Sequence, residues 1–316
     1  RKTGKSAILL RLYNIIFNKN DGVIPFYFEM KQTDQWIVDF SIDFFLTFLS
    51  QYVAFKTRDK NHIFLGSFHH IREVCKKREL DFLNDRIDIF EAAIKEENID
   101  LMWNIVRDAP RLIADRYDER IVQIIDEFQY INRYIFWDKG KTNKAKNLAG
   151  SYFHTCEYKN APILASGSWV GWLMDDLSEM LPGRFKRYYL ENMPKHESLD
   201  MIYRYSFIMN FPVTEETASA IAELCEGNPC YISSLFESDC PDKDLASREG
   251  VLKTLEFETN DKRGAIRRVW MEYINYALSR VNSQETKNII LYHWCPVKLY
   301  FKRANILKLW IIQPNN

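Results

Sequence analysis

Ile121-Val122-Gln123-Ile124-Ile125-Asp126-Glu127 is the stretch that decides the fold. Its β-branched run predicts a short buried strand, and the strand ends in two carboxylates. Two carboxylates at the end of a buried strand sit where parallel α/β sheets open a ligand crevice. Working outward, residues 23–30 (VIPFYFEM) and 161–165 (APILA) also read as strands, and a further one is expected at 188–190. Residues 6–17 repeat apolar side chains at 8, 9, 12, 15 and 16, a helical period, and a long apolar-aromatic helix is expected over 37–55. The charged, helix-periodic stretch from 61 to 118 is expected to form two or three inserted surface helices. Residues 138–147 (DKGKTNKAKN) form a polar, Lys-rich loop. Strands alternating with helices predict an α/β fold, a mostly parallel sheet covered by helices on both faces.

Thr3-Gly4-Lys5-Ser6-Ala7 carries the second half of the pattern G-x-x-x-x-G-K-[ST] and leads directly into the first helix. Gly lets the backbone curl so that successive N–H groups face phosphate oxygens, and the helix start adds its positive dipole end. Lys5 is then placed for the β/γ-phosphates and Ser6 for Mg2+. The plain alternative is a helix N-cap at Ser6 after a basic turn. Asp126-Glu127 weighs against that alternative. A strand-borne Asp-Glu is what a Walker B element requires, with Asp126 in the Mg2+ shell and Glu127 polarising the attacking water as general base. Otherwise the pair closes a surface strand in solvent. Ser166-Gly167-Ser168 follows the strand at 161–165, and a hydroxyl there can bond the γ-phosphate or the water. Ser168 is preferred, with Ser166 as the other candidate and a simple Ser/Gly turn as the bland one. Arg184, in Gly183-Arg184-Phe185, has the planar fork that suits phosphate; Arg187 is close, and either is otherwise a surface residue.

Composition sets the frame for these motifs. The 316 residues are 47% apolar and 27% charged, enough for about two globular domains. The 43 basic residues balance 43 acidic ones, so no global charge draws the chain to nucleic acid or an anionic membrane. Six cysteines form no CxxC pair and no metal spacing with the six histidines. A disulfide framework is not expected, and the reading is a reducing, cytoplasmic setting. No run reaches about 18 uninterrupted apolar residues; residues 37–49 come closest, broken by Asp39 and Asp43, and no membrane partner is expected. His154 and His196 are isolated, and Cys225 and Cys230 read as buried apolar residues.

Five segments, RKTGKSAILLRL (1–12), IVQIIDEFQYIN (121–132), APILASGSWVGWL (161–173), GRFKRYYLENM (183–193) and CEGNPCYISSL (225–235), occur in an order that resembles the archaeal-type ATPase family. These are AAA+/STAND-related P-loop proteins. The resemblance implies a P-loop ATPase core over 1–194 with a helical insertion at about 61–118, a helical lid over 195–261, and an incomplete winged-helix-like or linker region over 262–316. It implies ATP and Mg2+ as ligands, with Thr3, Gly4, Lys5, Ser6 and Ala7 at the nucleotide and Ser6 and Asp126 on the metal. It places a sensor residue at Ser168 beside the Walker B strand. An arginine finger reaching a neighbouring subunit falls at Arg184, and Gly227-Asn228-Pro229 sits where the lid approaches nucleotide. The implied function is ATP hydrolysis driving a conformational switch, with a homo-oligomer or protein partner. The alternatives are a non-hydrolysing nucleotide-dependent scaffold or a winged-helix DNA-binding regulator. Lys262, Arg263, Arg267 and Arg268 would supply phosphate contacts in the latter, against a plain solvated helix face. The sequence departs from the family in the absent first half of the phosphate loop, the long interval from Lys5 to Asp126, and the lack of an Arg at the second sensor position.

The first residue is Arg1, inside the motif, so the sequence is expected to be part of a longer chain. The strand feeding the phosphate loop is expected between 121–125 and 161–165. Those two segments would then lie roughly 10 Å apart, two strand spacings. Without that strand, the central gap is expected to leave the chain unstable or a poor binder of ATP.

Overall fold

Phe26 and Phe28 of strand β1 (Val23–Glu29) pack on helix α2 (Ile37–Thr57), while Tyr27 between them packs edge-on against Tyr13 of helix α1 (Lys5–Lys19). Successive strand side chains point to opposite faces, so α1 and α2 cover the two sides of the sheet, as the alternation of elements predicts. These contacts belong to a computed structural model, which describes residues 3–153, 155, 158–167, 186 and 188–282. It divides into two units, Arg1–Leu190 and Glu191–Asn316.

In the first unit β1, β3 (Arg120–Asp126) and β5 (Ile163–Ala165) form a parallel sheet in the order β1-β3-β5. The register sets Glu29 beside Asp126 and Ile125 beside Ala165. A second, two-stranded parallel sheet joins β2 (Gln35–Trp36) to β4 (Ile135–Phe136), each following the carboxyl end of a main-sheet strand. Gln51 of α2 closes the outer edge of β1. Its side-chain amide accepts from Tyr27 N and donates to Tyr27 O, both at 2.8 Å.

Direct pairing of β3 with β5 overturns the expected strand order. Ser166 N donates to Ile125 O at 2.9 Å and Phe128 N to Ser166 O at 2.8 Å, so the ladder continues past the end of β5. No strand fits between them, and a strand feeding α1 has no place there. The central gap expected beside β3 is absent, because the backbone of β3 is paired on both sides.

The stretch read as surface helices is also corrected. Helices α3 (Phe68–Lys77), α4 (Asp81–Lys95) and α5 (Ile99–Tyr117) bury Ile71, Cys75, Ile87, Phe90, Val106 and Ile113 completely, and α5 packs on both α2 and β3. Phe45 of α2 meets Phe90 with ring centroids 4.9 Å apart. These helices complete the layer over one sheet face. Among the described residues α2 alone is long and apolar enough to cross a membrane, and 72% of its apolar window is buried within the fold. Phe40, Phe44, Phe45, Phe48 and Tyr52 are each at most 1% exposed, so α2 is the central core helix of this unit. Helix α6 (Leu148–Phe153) adds Tyr152 and Phe153 to the same core. Residues 188–190 belong to no strand, against expectation, and Tyr188 and Tyr189 are exposed. Aromatic residues favour strands only where a pleated surface half-buries them.

The second unit is helical. Its elements are α7 (Lys195–Met209), α8 (Glu215–Leu224), α9 (Pro229–Phe236), α10 (Arg248–Asn260) and α11 (Ala265–Asn282). Ile202, Ile221, Cys225, Ile232, Leu235, Phe236 and Val251 form its core. Thr214 and Thr217 make a reciprocal capping box at the start of α8, and Asn228 caps α9 by accepting from Cys230 N at 3.0 Å. Gly227 has φ 67, and a Cβ there would lie 2.1 Å from Met193 O, so the turn before α9 requires glycine. Most of the region expected to be winged-helix-like or a linker, from 283 onward, lies outside the described residues.

Candidate functional site

Helix α1 starts at Gly4, whose φ of 84 lies in the left-handed region that glycine alone enters without steric cost. No side chain caps this helix start, and its first turn holds no acidic residue. Its first N–H groups therefore lack a side-chain acceptor, the arrangement that suits an anion. Thr3 and Lys5 are half-buried beside it and Ala7 is exposed. Ser6 serves a different purpose from capping. Its Oγ donates to Asp126 Oδ2 at 2.5 Å, joining segments 120 residues apart.

Asp126 is the centre of the site and is fully buried. Its Oδ2 also receives the Tyr27 hydroxyl at 3.5 Å, while Oδ1 receives Glu127 N at 2.9 Å and the Ser166 hydroxyl. Glu29 stands beside it in the parallel register, and Glu127 follows it in the chain. Among the described residues no Lys, Arg or His forms an ion pair with Asp126, and Lys5 forms none at all. Negative charge from Glu29, Asp126 and Glu127 thus gathers at this end of the sheet. Its effect registers on the neighbours. The Glu29 carboxyl is raised by burial first, then by Asp126 and Glu127. The Tyr27 phenol is pushed above its ordinary range by burial, then by Asp126 and Glu29.

A buried carboxylate is costly unless a cation or several donors satisfy it. Among the described residues the donors to Asp126 are hydroxyl and amide groups, and none is a positive side chain. A serine hydroxyl and a carboxylate oxygen in contact are a hard-oxygen pair of the kind Mg2+ takes, with the rest of its shell completed by phosphate and water. Among the described residues no cluster of three or more His, Cys, Asp and Glu forms a dedicated metal cage. The donor set fits Mg2+ held jointly with a phosphate ligand.

Glu127 leaves the strand in a left-handed conformation, φ 51 and ψ 39, uncommon for a residue with a side chain. The peptide N–H groups on either side are tied down, Glu127 N to Asp126 Oδ1 and Phe128 N to Ser166 O. Its carboxylate accepts from the Gln129 side-chain amide, within the 3-10 turn Phe128–Tyr130.

Of the residues singled out from sequence, the structure gathers the turn at 3–7, Asp126 and Glu127 at the carboxyl end of the sheet. Ser168 and Arg184 lie outside the described residues. Ser166, the other serine candidate, donates its hydroxyl to Asp126. Tyr27, Glu29 and Gln129 were not anticipated. Glu29 ends its strand as Asp126 ends its own, and that shared position was the available signal. In the basic cluster, Arg263 pairs with Asp261 at 3.1 Å and Arg267 donates to Asn260 O at 3.0 Å, so half of it serves its own helix ends.

No family model matches the sequence, and no curated protein matches it. Among solved structures the chain is similar to a Walker-type ATPase of Pyrococcus abyssi, at 16% identity and a TM-score of 0.45, over 90% of this chain and 68% of that one. A likeness of that size carries no argument, so the functional reading rests on the site.

Proposed function

We propose that this chain is a P-loop ATPase of the archaeal, AAA+/STAND-related type, which binds ATP with Mg2+ and hydrolyses it to drive a conformational switch. The observation that carries the reading is the contact of Ser6 Oγ with the buried Asp126 carboxylate at an uncapped helix start. In this reading the first N–H groups of α1 hold the β/γ-phosphates, and Lys5 neutralises their charge. Ser6 and Asp126 would hold Mg2+, which would supply positive charge against that of the phosphates. Ser166 and Tyr27 keep Asp126 turned toward Ser6. Glu127 takes the proton of the attacking water, a role that a purely scaffolding nucleotide site has no use for. Ser168 and Arg184 are assigned to the γ-phosphate, the latter in a neighbouring copy, and the second unit to the lid.

Calorimetric titration with Mg-ATP tests the phosphate turn. Lys5→Ala is expected to remove detectable binding while leaving the melting temperature of the nucleotide-free protein unchanged. Unchanged ATP affinity in that variant would sink the assignment.

A further inference from the structure

We infer that Gln129 is a positioning residue for hydrolysis, holding the Glu127 carboxylate in the orientation from which it meets the attacking water. The inference rests on the ATPase reading and adds a residue to it. Gln129 is 3% exposed, and its amide N–H donates to Glu127 Oε2. Glu127 is only half-buried, so nothing in its own burial would fix a three-bond side chain. The backbone supplies one constraint. The left-handed kink at Glu127, locked by Glu127 N on Asp126 Oδ1 and Tyr130 N on Glu127 O, takes the side chain out of the strand's alternation. Gln129 supplies the second, from a turn whose flanking Phe128 and Tyr130 are buried, Phe128 completely.

A neutral amide is suited to this task. It donates a hydrogen bond without cancelling the carboxylate's charge, and it does not ionise at neutral pH. A lysine in its place would form an ion pair and weaken the base; a glutamate would repel it. Asn is one methylene shorter and falls short of the contact. The effect is therefore specific to a donor at glutamine's length. Misplacement of a reacting group by about 1 Å costs on the order of 10²-fold in rate, so a mobile Glu127 should slow the chemical step without touching nucleotide affinity.

The test is a double-substitution cycle on Mg-ATP turnover, with binding and melting temperature recorded for each protein. Gln129→Met keeps the buried volume and removes the donor. It is expected to lower kcat by about 10–100-fold with KM and calorimetric ATP affinity unchanged. In the Glu127→Gln background the same substitution is expected to change the residual single-turnover rate not at all, because the group it orients is gone. Gln129→Asn repeats the test with an amide that is too short, and is expected to match Gln129→Met. Equal fold-losses in both backgrounds, or a kcat at or above that of the parent, would overturn the positioning role and leave the ATPase reading intact. Parent-rate turnover by Glu127→Gln itself, or no turnover by the parent, would overturn the ATPase reading and this role together.

Discussion

Among the described residues the fully buried carboxylates are Asp126 of β3 and Glu258 of α10, at 0% and 2% exposure. Glu258 accepts from the Ser238 hydroxyl and from Ala265 N, both at 2.6 Å, and so fills the start of α11 with its own negative charge. Lys243 is anchored nearby on Phe236 O and Ser238 O. Burial lowers the pKa of its amine, while Asp239 and Glu258 act to raise it. Everything this carboxylate needs comes from the chain. Asp126 also accepts from chain donors, and neither carboxylate forms an ion pair among the described residues. The surroundings differ: the neighbours of Asp126 are the carboxylates Glu29 and Glu127, and the start of α1 holds no acidic group. A carboxylate already satisfied by its own fold is structural. One placed among like charges, beside a helix start with no acidic residue, suits the cation and anion of the proposed function.

Four substitutions probe that contrast. The largest effect is kinetic. Glu127→Gln keeps the shape but cannot accept a proton, and turnover of Mg-ATP should fall about 10²–10⁴-fold with binding retained. A parent-like rate would remove chemistry from the Asp126 side of the comparison. Glu258→Gln should cost about 1–3 kcal/mol in urea unfolding, because a buried charge-assisted pair of bonds becomes neutral. Asp126→Asn in Mg2+-free, nucleotide-free buffer should cost less than about 1 kcal/mol, since the lost hydrogen-bond strength is offset by relief from Glu29 and Glu127. Equal losses at the two sites would erase the difference between them. Smallest of all, Tyr27→Phe removes one long hydrogen bond and should lower the melting temperature by no more than about 4 °C. A larger drop would make Tyr27 a structural support for Asp126 on a par with Ser238 for Glu258.

The sequence made the parallel sheet and its ligand edge legible, and for a definite reason. Val23–Glu29 and Arg120–Asp126 are β-branched and aromatic, so they announce themselves, and the polar residues after them mark one end. Ser6 and Asp126 could be paired before any coordinates because each motif has its own local spacing. What was lost needed long-range information. Strand order is not written in any single segment, so β5 was displaced by one position. Ser166 and Ser168 both follow the strand, and the ladder beyond Ala165 is what brings Ser166 to Asp126, while Ser168 lies outside the described residues. Glu29 joins the site through register alone. Within the expected helical stretch 195–261, the bounds of α10 were not legible, because its buried stripe is Gly250, Val251, Thr254 and Glu258, of which only Val251 counts as apolar. Strands β2 and β4 have two residues each, too few to carry a period.

The central proposal, that Asp126 takes its cation as Mg2+ bound with nucleotide, is tested most directly by the Mg2+ dependence of ATP affinity. Calorimetric titrations of ATP would be run with Mg2+ and with EDTA, on the parent and on Asp126→Asn. The account predicts that Mg2+ tightens ATP binding by the parent at least tenfold, about 1.4 kcal/mol. Asp126→Asn should bind ATP with nearly the same affinity in both buffers. An equal Mg2+ effect in the two proteins, or no effect in the parent, would contradict it.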